Sequence, residues 1–383
     1  MKRVRTKETV RDSRKRSKKH DETHSFPFIP QDLIVQILLN IPARSIARFV
    51  IVSKEWFSII RSQDFTKLYL TRSSSRPRLL FSVYYNLHFH MQREQFLQSF
   101  SQQNPSSDHY QRVYVTPRPI HLYGFSPPVR GLICRQCDTK VIIGNPSTGQ
   151  FLPLPRVKTY RRDIFSFFGY DPVNDVYKVL CMTVPGHQSC GSPYVSEEHK
   201  VFTLGAKQKW RKIKCKRSHL PRPRTRGICI NGVLHYFGSI EYAAYLVRFD
   251  LSYEDFSFIK LPECLVNYNG NLALTNTCMS NSKLDIWVLE DASKGIWSEV
   301  SVLVPSWTDL VGNKCFKFTG TLSTGEFIFA PLRVSPMNPV YLISFILNDN
   351  TAKKVVVEGV RDDPTSLEVY LDHVDSPMFL SKR

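Results

Sequence analysis

The chain has 383 residues, of which 42% are hydrophobic and 22% charged. That balance belongs to a globular protein, and the length calls for two domains or one large repeat fold. The net charge is +19, but residues 1–24 supply +6 of it and residues 207–226 supply +10, so the excess is concentrated in two places. No run approaches the roughly 18 apolar residues of a membrane span. The opening MKRVRTKETVRD lacks the apolar stretch of a secretory signal, which sets the expectation of a protein inside the cell, in nucleus or cytoplasm. Nine cysteines without framework spacing read as packing thiols of a reducing compartment.

In chain order, residues 1–24 have no hydrophobic periodicity and read as a disordered basic arm. Within it, Arg14-Lys15-Arg16-Ser17-Lys18-Lys19 has the form of a nuclear-import signal, or of a solvated tail. The domain at 25–70 is helical. Pro30 can open a helix because its fixed φ suits the first turn, and Asp32 complements the positive end of the helix dipole. Leu33, Ile34, Ile37, Leu38 and Ile41 then recur at three- and four-residue spacing, and Pro42 closes that helix. A second helix carries Ile46, Phe49 and Val50. A third is capped by Ser53, with Trp56, Ile59 and Ile60 on its inner side. Three helices in about 40 residues bury little surface, so the unit is expected to lean on a partner or on the next domain.

These residues resemble the F-box motif of plant F-box proteins. The match runs through Ile29-Pro30-Gln31-Asp32-Leu33, Ile37-Leu38, Ile41-Pro42, Ile46, Arg48-Phe49 and Val52-Ser53-Lys54-Glu55-Trp56. Ile29 stands where Leu is usual and Ser53 where many members have Cys. The resemblance implies docking onto the Skp-type adaptor of a cullin–RING ubiquitin ligase. The positions matching the docking face are Pro30, Leu33, Ile37, Leu38, Pro42, Val52, Lys54 and Trp56.

Residues 71–114 read as a bridging segment, a strand plus a variable loop. From 115 to 383 short β-prone runs recur between Gly, Pro and Asn turns, among them Val141–Pro146, Asp175–Leu180, Val201–Leu204, Val233–Tyr236, Leu246–Asp250, Leu284–Leu289 and Leu342–Phe345. The layout of Asn145–Pro155, a strand end, a turn and a strand closing in Leu-Pro, returns at Phe249–Pro262 and, more loosely and without the Leu-Pro, at Phe345–Val357, which suggests stacked blades of uncounted number. The fold expected is α+β and multidomain, a small three-helix F-box followed by an all-β, propeller-like domain. Gly131-Leu132-Ile133-Cys134, Phe168-Gly169-Tyr170-Asp171-Pro172 and Ile230-Asn231-Gly232-Val233-Leu234-His235-Tyr236 are similar to phrases of the F-box-associated domain, the presumed target-recruiting part of that family.

Chemistry-bearing patterns are sparse. Cys134-x-x-Cys137 is half a zinc site with no second pair, although Cys181, His187 and Cys190 could complete one if brought together. His88 and His90 share a strand face without further ligands. No phosphate loop or nucleophile elbow is present, so no metal, cofactor or catalytic residue is expected. The basic stretch offers Arg211, Lys212, Arg222, Arg224 and Arg226 as a surface for an acidic or phosphorylated target, with a solvated loop and inward Trp210 as the bland alternative. The function expected is the non-catalytic receptor subunit of a Skp–cullin–F-box ubiquitin ligase, joining the adaptor to an unknown protein target. The alternatives are an F-box scaffold outside a ligase and a basic nucleic-acid-binding propeller; nucleic acid is disfavoured because Lys/Arg and aromatics interleave in one patch rather than a stripe. No membrane partner is expected.

Overall fold

A computed structural model describes residues 29–380 except 88–91, 104–110, 116–123, 138, 160–162, 185–197, 206–208, 223–226, 241–242, 261–263, 276–278, 280, 335–338, 361–363 and 365. The chain starts as helices: α1 (Gln31–Leu39), α2 (Ala43–Phe49), α3 (Lys54–Arg61) and α4 (Gln63–Ser74). Pro30 and Pro42 stand at the N-caps of α1 and α2. Pro42 therefore opens α2, while α1 has already ended at Leu39. Ser53 caps α3 as its sequence requires, its hydroxyl accepting from Trp56 N at 3.1 Å. The fourth helix is an addition to the expected three. Ser62 caps it through Phe65 N at 3.1 Å, and Phe65, Tyr69 and Leu70 turn inward. Ile34, Leu38, Ala43, Ile46, Ile59, Ile60, Phe65 and Tyr69 make one core.

The strands follow in blades. The first blade holds β1 (Arg78–Leu87), β2 (Gln92–Ser101) and β3 (Gln111–Val115), and the second holds β4 (Ile133–Cys137), β5 (Lys140–Asn145) and β6 (Gln150–Pro153). The third comprises β7 (Asp163–Asp171), β8 (Val176–Val184), β9 (Glu198–Thr203) and β10 (Arg211–Ile213). The fourth comprises β11 (Leu220–Pro221), β12 (Ile228–Ile230), β13 (Val233–Ile240), β14 (Ala243–Asp250) and β15 (Phe256–Lys260). The fifth contains β16 (Cys264–Tyr268), β17 (Asn271–Thr275), β18 (Lys283–Asp291) and β19 (Ile296–Leu303). After a short helix, α5 (Trp307–Val311), the sixth contains β20 (Phe316–Thr321), β21 (Phe327–Pro331), β22 (Tyr341–Ile346) and β23 (Thr351–Val356). Finally β24 (Ser366–His373) returns to pair with β1, so the two ends of the chain share one blade.

The result is a six-bladed propeller. The segment 71–114 is thus no bridge: it ends α4 and then supplies three strands of the closing blade. Its polar alternation had hidden this, because Gln95 and Gln98 face inward; Gln95 Nε2 donates to Ser82 Oγ at 2.8 Å and Gln98 Nε2 to the Gly359 carbonyl at 2.9 Å. Blades stack through apolar faces, such as Phe167 and Leu180 of the third on Tyr236 and Phe249 of the fourth.

The repeated phrases are hairpin turns with a common cause. A side-chain oxygen at the strand end accepts from the amide two residues on: Asn145 from Ser147 N (3.0 Å), Asp171 from Val173 N (3.1 Å), Asp250 from Ser252 N (2.8 Å) and Asp291 from Ser293 N (2.8 Å). The β7–β8 and β14–β15 turns lie on one face, where Ser252 Oγ reaches Asp171 at 2.6 Å. The β10–β11 connection leaves the opposite end of its strand, and so belongs to the other face.

Candidate functional site

The helical module carries apolar side chains that its own core does not use. In α1, Ile34 and Leu38 are turned in, while Leu33 and Ile37 one residue earlier on the same two turns are 55% and 44% exposed. The α2–α3 turn adds Ile51 at 89% and Val52 at 56%, and Ile29 and Phe57 are exposed as well. Pro30, Pro42 and Lys54 are also exposed; Trp56 is half-buried against Phe49, ring centroids 5.4 Å apart. Leu38 is a correction. It is 0% exposed, because its place on α1 points it at Ile46 and Ile60 of the helical core rather than outward. Ile29, Ile51 and Phe57 are exposed apolar positions missing from the sequence-derived set. The signal available was position: Ile29 and Ile51 lie outside the helices, and Phe57 falls off the inward face that Ile59 and Ile60 mark on α3.

A different side of the module, α3 and α4, faces the propeller. Asp175 in the β7–β8 turn accepts from Gln63 Nε2 at 2.8 Å and pairs with Lys67 Nζ at 2.6 Å; Tyr170 also donates to it. Burial acts to raise the Asp175 carboxyl, but hydrogen bonds from Lys67 and Tyr170 hold it below its ordinary value. The tail after β24 runs between the two parts. Its Phe379 packs into the helical core, whereas Met378 and Leu380 pack into the cluster shared by the second and third blades. Asn145 Nδ2 donates to the Ser376 and Met378 carbonyls at 2.9 and 2.8 Å, and Asp375 N donates to Ser73 Oγ at 2.8 Å. Gly131, at φ +82°, lies so close that a Cβ would meet Ser376 Cβ at 2.5 Å. Between the parts is a cleft of about 530 Å³, bordered by Lys67, Arg130, Tyr170, Leu154, Phe202 and Phe379 among others.

The basic stretch divides. Arg211 is committed within the fold: its guanidinium donates twice to Glu254, both at 2.7 Å, and Glu254 also pairs with Lys178. Its role is therefore to join the third blade to the fourth. Lys212 extends into solvent with Nζ 3.6 Å from Glu198. The backbone of Arg222 pairs with Phe237 O at 3.0 Å. Arg224 and Arg226 lie outside the described residues, between β11 and β12, which both pair with β13. Trp210 packs inward on Phe202 and donates to Pro155 O at 2.7 Å.

Cys134 is buried, and burial pushes its thiol up to about 12. Cys181 is likewise buried. His88, His90, His187, Cys190 and the import-like run at 14–19 lie outside the described residues. The described residues contain one group with metal-ligand geometry: His199 of β9 with Cys215 and His219 of the β10–β11 connection. No helix of the described residues is long and apolar enough to cross a membrane.

A small helical module with spare apolar surface, clamped to a six-bladed propeller, defines the class of two-part F-box proteins. The comparisons place the chain within it. The F-box domain family matches residues 26–68, and the F-box associated beta propeller domain family matches residues 78–375. Among curated relatives from Arabidopsis thaliana, F-box/kelch-repeat protein At3g04660 is 46% identical over 98% of this chain and 99% of its own length. F-box protein At3g61340 and F-box protein DOR are each 34% identical, covering 96% and 92% of this chain and 97% and 94% of their own. A solved protein from Lactobacillus plantarum aligns at a TM-score of 0.43 with 9% identity, over 77% of this chain and 99% of that one. The chain belongs to the F-box family whose members carry an F-box-associated β-propeller.

Proposed function

We propose that this chain is the substrate-receptor subunit of a Skp–cullin–F-box ubiquitin ligase, docking its Skp-type adaptor through α1 and the α2–α3 turn and holding a protein target on the propeller. The observation that carries the reading is the exposed set Leu33, Ile37, Ile51 and Val52, which neither the helical core nor the propeller covers. Burying a Leu or Ile side chain is worth about 1.5–3 kcal/mol, so several of them together offset the cost of association. Pro30, Pro42, Lys54 and Trp56 flank this set. The receptor contributes proximity: a held target lysine meets the ubiquitin thioester at raised effective concentration, and the bond-making groups belong to other subunits.

The propeller face opposite the helical module suits the target, because a target there does not compete with the adaptor. Lys212 and Arg222, with Arg224 and Arg226 outside the described residues, are the basic candidates, and their charges fit an acidic or phosphorylated segment. Pull-down with a Skp-type adaptor tests the first half. Leu33→Asp with Ile37→Asp is expected to abolish capture while the melting temperature holds, since both side chains are exposed; unchanged capture would sink the proposal. Charge reversal of Arg222, Arg224 and Arg226 should then leave adaptor capture intact and remove target ubiquitination.

A further inference from the structure

On that opposite face the connection from the third blade to the fourth, residues 214–219, folds back over the start of β9. It brings together Cys215, from the connection itself, His219, just before β11, and His199, the second residue of β9. Their ligand atoms all lie within 4.8 Å of one another, with Cys215 Sγ 3.8 Å from His219 Nδ1. A tetrahedral zinc with bonds of about 2.3 Å to sulfur and 2.0–2.1 Å to nitrogen holds those atoms roughly 3.6 Å apart. We propose that His199, Cys215 and His219 form a zinc site that pins the connection between the third and fourth blades. The inference stands apart from the ligase reading, since it concerns only the propeller.

Three observations support it. First, His199 is 3% exposed and its Nε2 has no hydrogen-bond partner, so a buried lone pair or N–H is left unsatisfied. Second, His219 is already oriented as a ligand. Its Nε2 meets Tyr236 Oη at 2.8 Å, and that hydroxyl is directed at Met182 Sδ at 3.7 Å. In this geometry Nδ1 faces the Arg217 carbonyl and donates to it; with zinc at Nδ1 that proton leaves, and Nε2–H would donate to the Tyr236 oxygen, the arrangement that outer-shell partners impose on metal-bound histidine. Third, the Arg217 carbonyl oxygen lies 3.0 Å from Cys215 Sγ and 3.2 Å from His219 Nδ1, which offers a fourth donor or a seat for water.

The donor set selects the ion. One thiolate and two imidazoles with no carboxylate exclude calcium and magnesium and suit zinc. Zinc would displace the Cys215 proton to solvent, and the resulting thiolate offsets one of the two metal charges within a basic loop. The site would anchor the root of the segment that continues to Arg222.

The test uses the full chain, produced without a polyhistidine tag and dialysed against zinc and then against metal-free buffer. The expected result is about one retained zinc per chain, lost in Cys215→Ser, His199→Gln and His219→Gln and kept in Cys315→Ser, whose thiol is exposed elsewhere. Tyr236→Phe should weaken zinc binding about 10–100-fold. Cobalt loaded into the unmutated chain should give a thiolate-to-cobalt charge-transfer band, which reads the ligand even if a variant misfolds. Absence of that band, or zinc retention unchanged in Cys215→Ser, would each overturn the assignment.

Discussion

Lys178 sits at the centre of a buried charge cluster that joins two blades. Its Nζ lies 3.0 Å from Asp171 and 3.2 Å from Glu254, and it also donates to the Leu251 carbonyl. Asp171 is completely buried. Burial alone would raise its carboxyl, but hydrogen bonds from Ser252, Asn174 and Lys178 overcome that and hold it far below the ordinary range. A buried pair contributes little net stability when intact, yet breaking it strands a charge. Lys178→Met is therefore expected to cost about 3–5 kcal/mol in urea unfolding, because Asp171 then keeps its charge without its partner. A loss below about 1 kcal/mol would show that Asp171 is neutral or resolvated in the variant. The sequence showed Tyr177-Lys178-Val179 as part of a strand but gave no sign that the lysine turns inward. The β7–β8 hairpin supplies Asp171, 7 residues away, but Glu254, 76 residues away, reaches the lysine only through the stacking of blades.

Among the elements, the tail at 374–380 does the most for its length. Phe379 faces the helices, Met378 and Leu380 face the blades, and Arg61 stacks on both Phe57 and Phe379 at 5.2 and 5.7 Å. Beyond it, the junction rests mainly on Asp175 with Lys67 and Gln63, which are partly solvated and individually weak. Ending the chain after His373 should leave β24 paired with β1 but loosen the helical module from the propeller. Limited proteolysis should then cut between α4 and β1, near Arg76, many times faster than in the full chain. Equal resistance would mean that the polar contacts alone hold the junction. This tail has no periodicity and no motif, so nothing in its sequence announced the role.

For the whole molecule, closure of the ring makes stability a shared property. The last strand completes the first blade, so the ring closes only when the final strand has been placed. Buried histidines give this unit a pH dependence. His235 and His373 are almost inaccessible, and burial lowers their values to about 3 and about 4. An unfolded histidine takes its proton near 6.5, so between that value and about 4 the unfolded state binds more protons than the folded one. Stability is accordingly full above about pH 6.5 and falls as pH drops through the window below it. From pH 7 to pH 5 each of these histidines should remove about 1–2 kcal/mol. Urea midpoints measured across that range should decline, and the slope should flatten in a His235→Gln, His373→Gln variant. A midpoint that stays level would mean the two imidazoles are protonated in the folded chain.

Local pattern was enough to set out the elements that depend on neighbours in the chain. Proline positions, the Ser53 cap and apolar spacing gave the first three helices; alternating apolar runs between Asx turns gave most strands, and the repeat of those turns gave a bladed fold. These signals operate over three to ten residues, the reach of a helical turn or a hairpin. Tertiary structure alone settled the rest: six blades, the recruitment of 78–115 and 366–373 into one sheet, the burial of Leu38 beside the exposed Leu33 and Ile37, and the commitment of Arg211 to Glu254. Each of these turns on which distant surface covers a given side chain, and a linear pattern carries the wish to be buried without the identity of what does the burying.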